Sequence, residues 1–149
     1  MKYLKYINDI EYILSVNENN DIDKKIDNQT QLFTLCFQYL DDQTYSIAKK
    51  LIEDGADVNT DNGYWYLFGI VIGNIFDDFG SENNMKILKM LLDRNVNLLL
   101  SKYSKKTDLL NFLKHEKFNK NYQDVISLLE KYDYFNKLYK EREINRFKI

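Results

Sequence analysis

Cys36 and His115 are the only cysteine and the only histidine in the chain. A thiol beside an imidazole makes a nucleophile and its base. These two stand in separate parts of the sequence, and no pattern brings them together. A single cysteine forms no intrachain disulfide, and between Leu35 and Phe37 the thiol reads as a small buried hydrophobe. No His/Cys cluster has the spacing of a zinc site. There is no glycine-rich phosphate loop; Gly69 and Gly73 lie four apart in an apolar segment, where close helix packing explains them. Asn17, Asn19 and Asp21 have the alternation of a calcium loop. Position six is Ile22 instead of glycine, and position twelve is Asn28 instead of glutamate, which excludes it. Asp77, Asp78 and Glu82 could hold a cation or act as paired carboxylates, and a solvated acidic loop is the plainer reading. Lys102, Lys105, Lys106, Lys114, Lys117 and Lys120 run among Tyr103, Phe112 and Phe118, a mixture that can meet phosphates and stacked bases. The same aromatics fall at core spacing, and arginine is nearly absent there. The residues therefore favour a protein without catalysis, metal or cofactor.

A chain of 149 residues with 44% hydrophobic content can bury a core as one domain over 1–149. The net charge of −2 hides an asymmetry: residues 1–100 carry 9 basic against 16 acidic side chains, and 101–149 carry 12 against 7. An acidic front and a basic back can steer a charged partner; equally, they can be ordinary solvated helix faces. The first residues lack the apolar run of a signal peptide, and the apolar stretch 64–72 is too short to cross a bilayer. A cytoplasmic location is expected. There is no proline.

The elements that must position these residues show in the apolar periodicity. Ile10/Ile13/Leu14, Ala48/Leu51/Ile52, Leu88/Leu91/Leu92 and Val125/Leu128/Leu129 repeat one triplet at intervals of 38, 40 and 37 residues. Thr30-Gln31-Leu32, Trp65-Tyr66-Leu67 and Thr107-Asp108-Leu109 precede the last three. Helices are predicted over 1–16, 30–40, 45–54, 64–76, 84–94, 107–118, 122–132 and 134–147. Thr30 is an N-cap candidate, and Leu32, Phe33, Leu35, Cys36 and Tyr39 are candidate core contacts. Thr44 or Asp42 is expected to cap the helix over 45–54. Gly55 and Asn95 stand where a helix ends in a left-handed residue, and Asp133 closes the last repeat helix. Residues 17–28 read as a polar loop, and 77–83 as an insertion between two helices.

The most specific segment runs from Leu51 through Gly55-Ala56-Asp57-Val58-Asn59 to Asp61-Asn62-Gly63. It resembles the ankyrin repeat, whose second helix ends in Leu-Leu-x-x-Gly-Ala-Asp-Val-Asn before Asp-x-x-Gly. The resemblance spans about 30–132 and weakens toward the C-terminus. It implies an all-α, ankyrin-like solenoid of about three helix-turn-helix repeats, with capping helices at 1–16 and 134–147. The Thr-Pro-Leu-His opening of the family is incomplete here, and every unit is longer than the usual period of about 33 residues.

Ankyrin domains bind proteins through finger tips and the concave inner face. By resemblance the chain is a protein-interaction module, with Asn59, Asp61, Asn62, Tyr64 and Trp65 on one finger and Lys102 and Tyr103 on the next. Asp77, Asp78, Phe79 and Glu82 form an acidic contact on the insertion. Trp65 and Tyr64 have a second reading, as fillers between enlarged repeats. The small solitary array also resembles immunity proteins that neutralise a cognate bacterial toxin. An acidic surface would suit a basic toxin domain. A regulatory or host-interacting ankyrin protein is the alternative, and a nucleic-acid binder is a weaker one.

Overall fold

The computed structural model describes residues 21–105 and 107–133. The capping helices expected over 1–16 and 134–147, the triplet Ile10/Ile13/Leu14 and Lys106 lie outside them. Among the described residues there are six helices and no strand, so the described part is all-α. They are α1 (Gln31–Phe37), α2 (Asp42–Glu53), α3 (Leu67–Phe76), α4 (Ser81–Asp93), α5 (Asp108–His115) and α6 (Tyr122–Lys131).

The helices come in pairs. α1 packs on α2 and α3 on α4; between pairs, α1 meets α3 and α2 meets α4. First helices thus stack on first helices and second on second. The residues between the layers are apolar and buried: Leu32, Phe33 and Cys36 of α1, Ala48, Leu51 and Ile52 of α2, Phe68, Val71, Ile72 and Ile75 of α3, and Ile87, Leu88 and Leu91 of α4. The third pair contributes Leu109, Leu113, Val125 and Leu129. Phe112 of α5 lays its ring 5.6 Å from that of Phe76, and the Tyr132 hydroxyl bonds to Asp93, which ties the third pair to the second.

The helix ends follow local chemistry. Thr30 caps α1 as expected, its hydroxyl accepting the Phe33 N–H at 3.3 Å. α2 begins earlier than the periodicity suggested. Its cap is Asp41, not Thr44 or Asp42; the Asp41 carboxylate accepts the Thr44 N–H at 2.8 Å and the Thr44 hydroxyl at 2.9 Å. α2 and α4 end alike. Gly55 (φ 98) donates to the Ile52 carbonyl and Ala56 to Leu51; Asn95 (φ 56) donates to Leu92 and Val96 to Leu91. Both are paired C-terminal hydrogen bonds around a left-handed residue. Asp133 (φ 61) holds the same position after α6.

Four further boundaries differ from expectation. The chain leaves α1 at Gln38 in an extended conformation (φ −98, ψ 174), so Tyr39 falls out of helical phase and is exposed, not core. α3 starts at Leu67 rather than at residue 64, because the preceding backbone groups bond within a hairpin. α4 starts at Ser81, so the insertion shrinks to 77–80, and Glu82 and Asn83 stand in the first helical turn. α5 ends at His115, short of residue 118.

Asparagines join the pairs. The side-chain amide of Asn74 donates to the Cys36 carbonyl at 3.0 Å, Asn83 to Leu40 at 2.9 Å, Asn119 to Phe76 at 2.7 Å and Asn121 to Ile75 at 2.8 Å. Carbonyls at the end of a helix have no partner within it; for Cys36 and Phe76 the next pair supplies the donor.

Candidate protein-binding surface

Between α2 and α3, and again between α4 and α5, the chain folds into a short finger. In the first, the Asn62 side-chain oxygen accepts the N–H of Tyr64 at 3.1 Å and of Trp65 at 2.8 Å. The Asn62 N–H donates to the Trp65 carbonyl, and Gly63 is left-handed at φ 98. Asparagine and glycine are suited to this turn because one bonds its own backbone and the other tolerates positive φ. The next finger lies alongside: Tyr66 donates to the Leu100 carbonyl at 3.1 Å, and Lys102 to Tyr64 at 2.8 Å. These bonds explain the late start of α3.

A third finger precedes α1, where a polar loop was expected. The Asp21 carboxylate accepts the Asp23 N–H as Asp57 does that of Asn59, at 2.9 and 2.8 Å. Asp23 accepts the Asp57 N–H, and Asn59 accepts the Asn97 N–H. Side chains of each finger thus hold the backbone of the next. Asp21-Ile22-Asp23 aligns with Asp57-Val58-Asn59, a match that the sequence alone hid because no Gly-Ala leads into it.

The structure brings seven of the expected residues to this edge and divides their roles. Asn59 and Asn62 are committed to the finger backbone. Asp61 accepts the Gly63 N–H at 2.8 Å and lies 3.5 Å from the Lys102 ammonium, so it is a brace as well. The exposed residues are Lys102 and three aromatics. Tyr64 touches Trp65 edge to face, ring centroids 4.8 Å apart, and Tyr103 on its other side at 5.6 Å. Trp65 is 41% exposed and Tyr64 49%, so neither is enclosed as a filler between the pairs. Ile26 stands exposed on the earliest finger. Ile26, Tyr64 and Tyr103 are 38 and 39 residues apart, close to the period of the pairs, a signal that could have found Ile26.

Asp77, Asp78, Phe79 and Glu82 lie at the opposite edge. They cluster at the C-terminal end of α3 and the start of α4, while the fingers adjoin its N-terminal end; ten helical residues place the two edges about 15 Å apart. Asp78 is left-handed at φ 56 and accepts from Lys120 at 2.6 Å and Ser81 at 2.8 Å. Those bonds, Lys120 first, hold its carboxyl below the usual carboxylate range. The expected acidic contact is therefore partly neutralised. Phe79 meets exposed Tyr39 edge to face at 5.3 Å.

The lysine set is divided in the same way. Lys102 and Tyr103 belong to a finger, Lys114 and Lys117 flank the other end of α5, and Phe112 packs on Phe76. The lysines weighed as a phosphate-binding patch are therefore, among the described residues, split between a finger and the far end of α5. Among the described residues no group of His, Cys, Asp or Glu is placed to hold a metal ion. No helix among them is long and apolar enough to cross a membrane. Cys36 is fully buried, and burial pushes its thiol up to about 12, whereas His115 is exposed. A thiol reagent at pH 8 is expected to label native Cys36 at least ~10³-fold more slowly than the unfolded chain, since reaction waits on opening. Labelling kinetics with and without denaturant check this. Comparison of the chain with family models, with curated proteins and with solved structures gave no match.

Proposed function

We propose that this chain is a non-catalytic protein-binding module of ankyrin-like construction whose fingers carry the contact surface. The observation behind this reading is the mutual contact of exposed Tyr64, Trp65 and Tyr103 on two adjoining fingers. Aromatic side chains combine large apolar area with few rotatable bonds and dominate the energetics of protein interfaces. The backbone beneath is fixed by bonds between fingers, so little freedom is lost on docking. The left-handed helix stops, the hairpins and the stacking of like helices support the solenoid reading.

The test is affinity capture from the source organism with the full chain as bait, beside Tyr64→Ala/Trp65→Ala/Tyr103→Ala and Asp77→Lys/Glu82→Lys variants. A stoichiometric protein is expected on the intact chain and the acidic-edge variant, with binding at least about 100-fold weaker to the aromatic variant. Equal capture by the intact and aromatic baits, or capture by neither, overturns the reading. The narrower role of an immunity protein is decided by the same experiment, since it requires the captured protein to be a toxin.

A further inference from the structure

The edge opposite the fingers carries a second row of exposed aromatics. Tyr39, Phe79 and Phe118 occupy the three turns that join the helices of each pair, 40 and 39 residues apart. They are 58%, 40% and 90% exposed. Neighbouring turns are linked in order: Asn83 reaches back to Leu40, and Asn119 and Lys120 reach back to Phe76 and Asp78. The three rings therefore run along one side of the stack.

Charge changes sign along that row. Around Tyr39 and Phe79 stand the exposed carboxylates of Asp41, Asp42, Asp77 and Glu82. Around Phe118 stand exposed Lys114, Lys117 and Lys120, with the Lys117 ammonium 4.9 Å above the Phe118 ring. Beside the first two turns, Tyr39, Asp42, Asp78 and Glu82 line an open groove of about 470 Å³.

We propose that this edge pairs with the same edge of a second copy across a two-fold axis. The axis passes near the middle turn. Phe118 and Lys117 of each copy then enter the groove beside Tyr39 of the other, ring against the aromatic pair and ammonium against the carboxylates. A row that is acidic at one end and basic at the other is self-complementary when reversed, and a two-fold contact requires self-complementarity. The net charge of −2 leaves little overall repulsion between copies. Three turns offer less than the ~1,200 Å² total of a standard interface, so the dimer is expected to be weak, with Kd of about 1–100 μM. The fingers remain free in this arrangement.

Sedimentation of the full chain across that concentration range tests it. The expected result is a monomer–dimer equilibrium that weakens at high salt. Phe118→Ser, Lys117→Glu and Asp42→Lys should each raise Kd at least about 10-fold. Phe118→Ser should leave the melting temperature unchanged, because that side chain is exposed. An equimolar mixture of Lys117→Glu and Asp42→Lys should regain dimer, since the mixed pair restores opposite charges at both contacts. If Asp42→Lys fails to fold through loss of its Asn83 bond, exposed Gln43→Lys takes its place. A chain monomeric throughout, a dimer indifferent to Phe118→Ser, or a mixture that stays monomeric while each single variant is folded overturns the proposal.

Discussion

Gly69→Ala is expected to lower the free energy of unfolding by about 2–4 kcal/mol, while Gly73→Ala, one turn later on α3, raises it by up to about 1 kcal/mol. A Cβ at Gly69 would stand 2.2 Å from the Leu100 carbonyl oxygen, 2.9 Å from its carbon and 3.0 Å from the Leu100 Cα. All three are backbone atoms, so no side chain can swing away. Relief requires the finger to move off α3. That movement strains the bonds from Tyr66 to Leu100 and from Lys102 to Tyr64, each worth about 1 kcal/mol. The helix propensity of alanine returns about 1 kcal/mol, which is too little to offset the overlap. At Gly73 a Cβ meets nothing within 4 Å, so the propensity gain stands alone. Chemical denaturation of both variants is the measurement. Equal stabilities would show that the contact between α3 and the finger is not rigid.

Asn84→Leu is expected to cost about 2–3 kcal/mol, although leucine is more apolar and similar in length. Asn84 has no exposed surface. Its amide donates to the Phe79 and Gly80 carbonyls at 3.2 and 2.9 Å. Its oxygen faces the Asn74 amide at 3.4 Å, and Asn74 bonds on to the Cys36 carbonyl. The Gly80 carbonyl keeps the backbone N–H of residue 84, so it is not orphaned. Phe79 loses its side-chain donor, and Asn74 loses one acceptor inside a buried network. Thermal unfolding of Asn84→Leu beside Asn83→Leu gives the comparison. A melting temperature no lower than that of the unaltered chain would mean that water already serves these groups.

The helix pairs were legible because their buried faces repeat at helical spacing. Ala48, Leu51 and Ile52, and Leu88, Leu91 and Leu92, are all buried. Gly55 and Asn95 were legible as stops because few residues accept a left-handed backbone. The start of α3 was not, because Trp65 and Tyr66 extend an apolar run and hide a turn set by Asn62. Tyr39 was misplaced for a related reason: its spacing from Cys36 is helical, but the helix has already ended. In the candidate site, the structure puts the three aromatic residues named on the fingers, Tyr64, Trp65 and Tyr103, in contact. The polar residues named beside them proved to be braces. Sequence types do not distinguish an asparagine that offers its side chain to a partner from one that spends it on the neighbouring finger.

At the edge opposite the fingers, the asparagine bonds between pairs run one way. Asn74 and Asn83 serve the pair before them, and Asn119 and Asn121 do the same one step later. The stack is therefore not made of interchangeable bricks. There the second and third pairs lend donors backward, and the first and second depend on their successors for theirs. Deleting α5 and α6 would strip partners from the end of α3 even though no residue of α3 had changed. Grafting a pair from elsewhere would succeed only if it brought its asparagines in register. The array has a grammatical direction, and lengthening or shortening it by design means editing the following pair as well as the one removed.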